Sequence, residues 1–152
     1  MVVWHPPPPD WERPRVRNDD SIVIELRYGQ VSVLLPGDVE QAGEAAMAQL
    51  VRPGALTVAQ APHHGSQSSS SKAWLDGAHP SVAVISVGRN NRFGHPQAAV
   101  LERYRAAGAV IFRTDQDGAI TIETDGRQMD VSGFTGRRLM LRTPAGERAP
   151  PP

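Results

Sequence analysis

The 152 residues carry 16 basic and 16 acidic side chains, so no global positive field marks a nucleic-acid partner, and only a local patch could serve one. The absence of cysteine excludes a disulfide framework, a thiolate metal site and a cysteine nucleophile, so any metal must take nitrogen and oxygen ligands. The length allows one domain at most. Apolar runs no longer than a strand, with no charged-then-apolar leader, predict neither a membrane span nor a signal peptide, and a soluble chain is expected.

The opening "MVVWHPPPPDWERPRVRND" reads as an extended, proline-rich connector over residues 1–17, since a four-proline run enters neither a helix nor a central strand. In "SIVIELRYGQVSVLLPGD" the alternation of Ile22, Ile24 and Leu26, then Val31, Val33, Leu34 and Leu35 after Tyr28-Gly29-Gln30, predicts a β-hairpin. "DVEQAGEAAMAQLV" places Val39, Ala42, Ala46, Leu50 and Val51 on one helical face, with Asp38 as candidate N-cap. "LTVAQAP" is a buried-strand candidate, followed by a histidine loop and a short helix started by one of Ser69 to Ser71. "SVAVISVG" is the most strand-like segment, followed by the loop "RNNRFGHP" and a helix from Pro96 to about Ala107, closed by Gly108. "AVIFRTDQDGAITIETDG" offers two β-rich runs about a hairpin signal at Asp115 to Gly118, and a weakly patterned tail follows Arg127.

Three times a strand runs into a polar loop that opens a helix, and those loops hold "GD", "PHHGS" and "GHP". In open α/β sheets such loops lie at the carboxyl ends of the strands, where ligands bind, so parallel strands would gather all three motifs at one edge. Each motif also has a plainer reading. Asp38 is either a metal carboxylate or simply a helix cap, and local pattern favours the cap. His63 and His64 point to opposite sides if the strand stays extended, so only one should reach a shared site. His95, between Gly94 and Pro96, reads equally as a helix-entry residue. The serine tract lacks a G-x-S-x-G elbow and is read as loop and cap. Arg89, Asn90, Asn91 and Arg92 form a donor-rich loop that suits phosphate oxygens, or merely solvent.

The ordered set "NDDSIVIELRYGQVSVLLPGD", "APHHGSQSSS" and "VAVISVGRNNRFGHPQAAVLERYRAAGAVIFRTDQDGAITI" resembles the carboxyl-terminal half of the metallo-β-lactamase-like domain of ComEC-like competence proteins of bacterial DNA uptake, from about His5 to Asp125. The resemblance implies an α/β fold, one half of a four-layer αββα sandwich with a mixed sheet and helices on one face. This half would span 18–125, with a basic, proline-ended tail over 126–152. The resemblance further implies metal ligands at Asp38 and His64. Pro36 stands where the family's "TGD" motif usually has threonine, and Asn18 lies near a position where many relatives carry another ligand histidine. It gives His95 and His63 to catalysis or substrate phosphate, and Arg89, Asn91, Arg92 and Ser66 to substrate binding.

The superfamily's main ligand cluster, H-x-[HD]-x-D-H, does not occur in these residues. A divalent manganese or zinc would therefore belong to the intact domain. Two candidate ligands fall short of the three or four that hold such an ion, so tight binding by this chain alone is not expected. The function implied is part of a competence protein for DNA uptake and transformation, the intact domain being a metal-dependent phosphodiesterase on DNA. The alternatives are a non-catalytic DNA- or partner-binding half-domain and a small-molecule metallo-hydrolase of the same superfamily. Implied partners are DNA, the missing amino-terminal half-domain and the membrane channel of the same bacterial inner-membrane protein. A sheet covered by helices on one face alone would expose its other face, so self-association is expected of the isolated chain.

Overall fold

In chain order, strands β1 (Val2–His5), β2 (Val23–Tyr28) and β3 (Val31–Leu35) precede helix α1 (Gln41–Ala48), β4 (Leu56–Gln60), α2 (Lys72–Ala78), β5 (Val82–Ile85), α3 (Ala98–Ala106) and β6 (Val110–Arg113). A single helical turn, α4 (Thr114–Asp117), then leads to β7 (Ile120–Thr124), β8 (Gln128–Gly133) and β9 (Arg138–Arg142). The computed structural model describes residues 1–5 and 17–143. The four-proline run and the proline-ended terminus lie outside the described residues.

Six strands form one mixed sheet in the order β1-β2-β3-β4-β5-β6, antiparallel at β1 to β3 and parallel from β3 to β6. Each parallel step needs a crossover, supplied in turn by α1, α2 and α3 on one face. There Leu34, Ala59, Ala83 and Ile85 of the sheet meet Met47, Trp74, Val100 and Tyr104 of the helices, all buried. Small alanines on β4 and β5 let the helices approach closely. The result is an α/β sandwich that brings the carboxyl ends of β3, β4 and β5 to one edge.

The second face differs from expectation. The segment after Arg127, read as a tail, contributes β8 and β9 to a three-stranded antiparallel sheet with β7. Met129 and Val131 of β8 pack against Val31, Val58, Val82 and Phe112, so the apolar face over β3 to β6 is covered rather than exposed. The hairpin expected at Asp115 to Gly118 is absent, since β6 pairs with β5 and β7 with β8. Instead Asp117 Oδ2 accepts from Arg113 N at 2.9 Å and closes a helical turn that passes the chain to the second sheet.

Three further expectations are corrected. Val2–His5 pairs with β2 rather than forming part of a connector. In β2 the inward residues are Val23 and Glu25, while Ile22 and Leu26 are 60% and 40% exposed, the reverse of the predicted phase. Glu25 tolerates burial because Trp4 Nε1 donates to it at 2.9 Å and an Arg27 Nη at 2.7 Å, which offsets the desolvation of its carboxylate. In α1 the buried face is Gly43, Glu44 and Met47 rather than Ala42, Ala46 and Leu50, while the flanking Val39 and Val51 are buried as expected. Val3, Ile22, Leu26 and Tyr28 are left exposed on β1 and β2.

Candidate functional site

Three loops meet at the sheet edge, stitched by backbone. His63 N donates to Gly37 O at 3.1 Å and Gln97 N to Gly65 O at 3.0 Å. Gly65 has φ +79° and stands where a Cβ would lie 2.7 Å from Pro96 Cβ, so only glycine allows the histidine loop and the "GHP" loop to touch.

The strand does not stay extended beyond Gln60. Residues Pro62–Gly65 turn tightly, and His63 and His64 both take left-handed backbone, φ 46° and 55°. Two consecutive non-glycine residues there cost free energy and persist only where surrounding contacts hold them. Of the two, His64 lines the cleft described below, whereas the His63 ring turns to Glu40. The His63 ring centroid lies 6.0 Å from that of His95, and His64 shares a cleft with His95.

Asp38 is not the helix cap. The amino end of α1 is capped from outside by Asp19, whose Oδ1 accepts from Glu40 N at 2.7 Å and Gly43 N at 3.2 Å. Asp38 is thereby free to place Oδ1 3.5 Å from His64 Nε2. His64 Nδ1 lies 2.8 Å from the Ser86 carbonyl and donates to it, so the neutral ring carries its lone pair on Nε2, toward Asp38. Glu40, missed in the sequence, sits at the same edge. Its Oε1 accepts from Asn18 Nδ2 at 3.3 Å and Ser68 Oγ at 3.2 Å, and lies 3.3 Å from His63 Nδ1 without hydrogen-bond alignment. The signal available was only its place two residues after Asp38.

A cleft of about 340 Å³ opens beside the histidines, lined by His64, Ser86, Val87, Gly88, Asn91, Phe93, His95 and Thr114. Burial, then the nearby His63 and His64, hold the His95 imidazole below its ordinary pKa, which favours the neutral ring. Asn91 braces the loop: its Nδ2 donates to His95 O at 2.7 Å and its Oδ1 accepts from His95 N at 2.8 Å. Phe93, not singled out in the sequence, stacks on His95. Arg92 sits by that ring, and Arg89 Nε donates to Asp115 O at 3.3 Å. Ser66 Oγ pairs with Ser68 Oγ at 3.1 Å, on the Glu40 side of the histidines.

The serine tract is fixed from beneath by Glu44, fully buried, which accepts from the backbone N–H groups of Ser70 and Ser71. Burial raises the Glu44 pKa, and hydrogen bonds from Ser71 and Ser70 oppose the rise. Ser71 caps α2 by accepting from Trp74 N at 3.3 Å, as the sequence predicts for one of these serines.

A catalytic zinc site uses three protein ligands and an open position. Among the described residues no three His, Asp or Glu side chains are grouped to hold an ion, and Asp38 with His64 offers one oxygen and one nitrogen. A resident metal does not fit the donor set of the described residues alone.

The chain is similar to competence proteins. It is 32% identical over 119 residues to ComE operon protein 3 of Bacillus subtilis, covering 78% of this chain and 15% of that protein. Recombination protein 2 of Haemophilus influenzae is 36% identical over 108 residues, 71% of this chain and 14% of that protein. Competence protein ComA of Neisseria gonorrhoeae is 36% identical over 106 residues, 68% of this chain and 15% of that protein. The chain thus spans about 15% of the length of these relatives. No family model matches it, and neither does any solved structure. Among the described residues no helix is long and apolar enough to cross a membrane.

Proposed function

We propose that this chain is a DNA-binding portion of a competence-type DNA-uptake protein, holding the strand at the His64–His95 cleft without cleaving it by itself. The observation that carries the reading is the company gathered at that edge: three histidines, Arg89, Arg92 and an exposed Phe93, in a chain whose overall charge is balanced. The two arginine cations on the loop beside the histidines, in an otherwise neutral chain, make a local phosphate-binding patch. The relatives' names support DNA uptake as the setting. Within it, the mixed sheet with helices on one face supports kinship with a metallo-β-lactamase-like half-domain, the water-exposed part of a bacterial inner-membrane protein beside its channel. The uncovered stripe of Val3, Ile22, Leu26 and Tyr28 is where we place the amino-terminal half-domain, or self-association of the isolated chain.

The test is fluorescence anisotropy of a labelled oligonucleotide across a salt series, with and without chelator. Affinity that falls steeply with salt and ignores the chelator is expected. No binding at low salt, or binding abolished by the chelator, refutes the reading.

A second reading is favoured by one observation, the His64 Nε2 lone pair facing the Asp38 carboxylate. In it the pair is one side of a hydrolytic manganese or zinc site that the rest of the larger protein completes. That reading expects DNA hydrolysis only when a purified amino-terminal half is added, and its loss with Asp38→Asn. Hydrolysis of a small ester or lactam is the weaker alternative, since the arginine and phenylalanine loop suits a nucleotide better.

A further inference from the structure

We propose that Phe93 is a stacking platform for a nucleobase, so that the cleft takes single-stranded DNA by its bases as well as its phosphates. The inference rests on the DNA-binding reading above and adds to it the form of the DNA. Phe93 keeps 65% of its surface open beside the cleft, although burial of such a ring would be favourable. The ring is held out on a braced loop. Asn91 ties both ends of the His95 peptide unit, and Gln97 Nε2 donates to Gly94 O at 3.2 Å. A group already ordered in its exposed position loses little freedom when a ligand covers it.

His95 backs the platform, with ring centroids 5.9 Å apart and planes 18° from parallel, and this extends the aromatic surface into the cleft. The Arg92 Cζ lies 5.3 Å from the Phe93 centroid. A guanidinium there can turn to the phosphate of a nucleotide whose base lies on the ring, or stack on that base itself. Charge points to the same occupant. Arg89 and Arg92 have no carboxylate partner among the described residues, since the Asp115 carboxylate near Arg89 is taken by both forks of Arg113. In a duplex each base is already stacked on its neighbours and paired, whereas a single strand offers its π-faces to such a ring.

The experiment compares three labelled probes on the full chain at one salt concentration: a short oligothymidylate, an abasic strand with the same number of phosphates, and a duplex of the same length. Wild type is expected to bind the oligothymidylate roughly tenfold more tightly than the abasic strand, the value of about one base stacked on an aromatic ring. Phe93→Leu should abolish that preference, bringing the oligothymidylate down to the affinity of the abasic strand for the same variant, and Phe93→Trp should retain it. Thermal melting checks that Phe93→Leu, at an exposed position, is folded. Equal affinity of the wild type for base-bearing and abasic strands, or an unchanged preference in folded Phe93→Leu, overturns the platform and leaves the DNA-binding reading standing. Failure of all three probes to bind overturns both.

Discussion

One hydrogen bond decides the chemistry of His64. With Nδ1 donating to the Ser86 carbonyl at 2.8 Å, Nε2 is left to face Asp38 at 3.5 Å. The neighbouring His95 behaves differently. Burial first, then His63 and His64, depress its pKa, so below about pH 6.5 the unfolded chain takes up a proton that the folded chain resists. Its contribution to stability is therefore present above that pH and is lost as pH falls toward the depressed folded value. Urea midpoints measured across this range should decline on the acid side, and His95→Gln should flatten the decline. Arg92 belongs to the same scale. Without it, one phosphate contact is lost, so Arg92→Ala should weaken DNA binding and reduce the slope of log affinity against log salt by roughly 0.7 for a single strand. An unchanged slope would remove Arg92 from the phosphate contacts.

At the scale of elements, the histidine loop depends on groups far from it in sequence. Glu44 on α1 holds the N–H groups of Ser70 and Ser71, Ser69 Oγ donates to Pro62 O at 2.7 Å, and Arg103 of α3 donates to Ser69 O at 2.8 Å. Glu44→Ala would leave one buried and one part-buried N–H group unpaired and should cost about 2–4 kcal/mol in urea denaturation. Ser71→Ala removes a helix cap and should cost roughly 1 kcal/mol. A Glu44→Ala chain as stable as wild type would show that water replaces the carboxylate.

Elements also show where the sequence was legible. The β2 to β3 hairpin, the Ser71 cap and the convergence of three strand-end loops all follow from local pattern. The burial phase of β2 does not, because Glu25 faces inward on the strength of Trp4 on the neighbouring strand β1, which joins Arg27, two residues on in β2 itself, at the carboxylate. Nor does the role of Asp38, which is released from capping only because Asp19, distant in sequence, caps α1 instead. The tight turn with left-handed backbone at His63 and His64 likewise lies outside what a residue-by-residue strand reading gives.

At the scale of the molecule, the second sheet alters what the chain is expected to do. Its last two strands were hard to read because each turns only two large apolar side chains inward, Met129 and Val131 on β8, Leu139 and Leu141 on β9. Those few residues nevertheless cover the face of β3 to β6. Met129, fully buried, should cost about 2–5 kcal/mol when cut to alanine, read as a shift in the urea transition. Deleting residues 128–142 should give a chain that aggregates, whereas a soluble, cooperatively folding deletion would mean that the six-stranded sheet stands without its cover. Self-association of the whole chain then falls to the smaller stripe on β1 and β2.

The central claim, that this chain binds DNA through the His64–His95 edge with no metal of its own, is tested most directly by a backbone amide NMR titration with a single-stranded oligonucleotide in the presence of chelator. The predicted result is a set of shifts confined to residues 63–66 and 86–95, saturating with oligonucleotide. Shifts confined to the β7-β8-β9 sheet, or none at all until manganese or zinc is added, would contradict it.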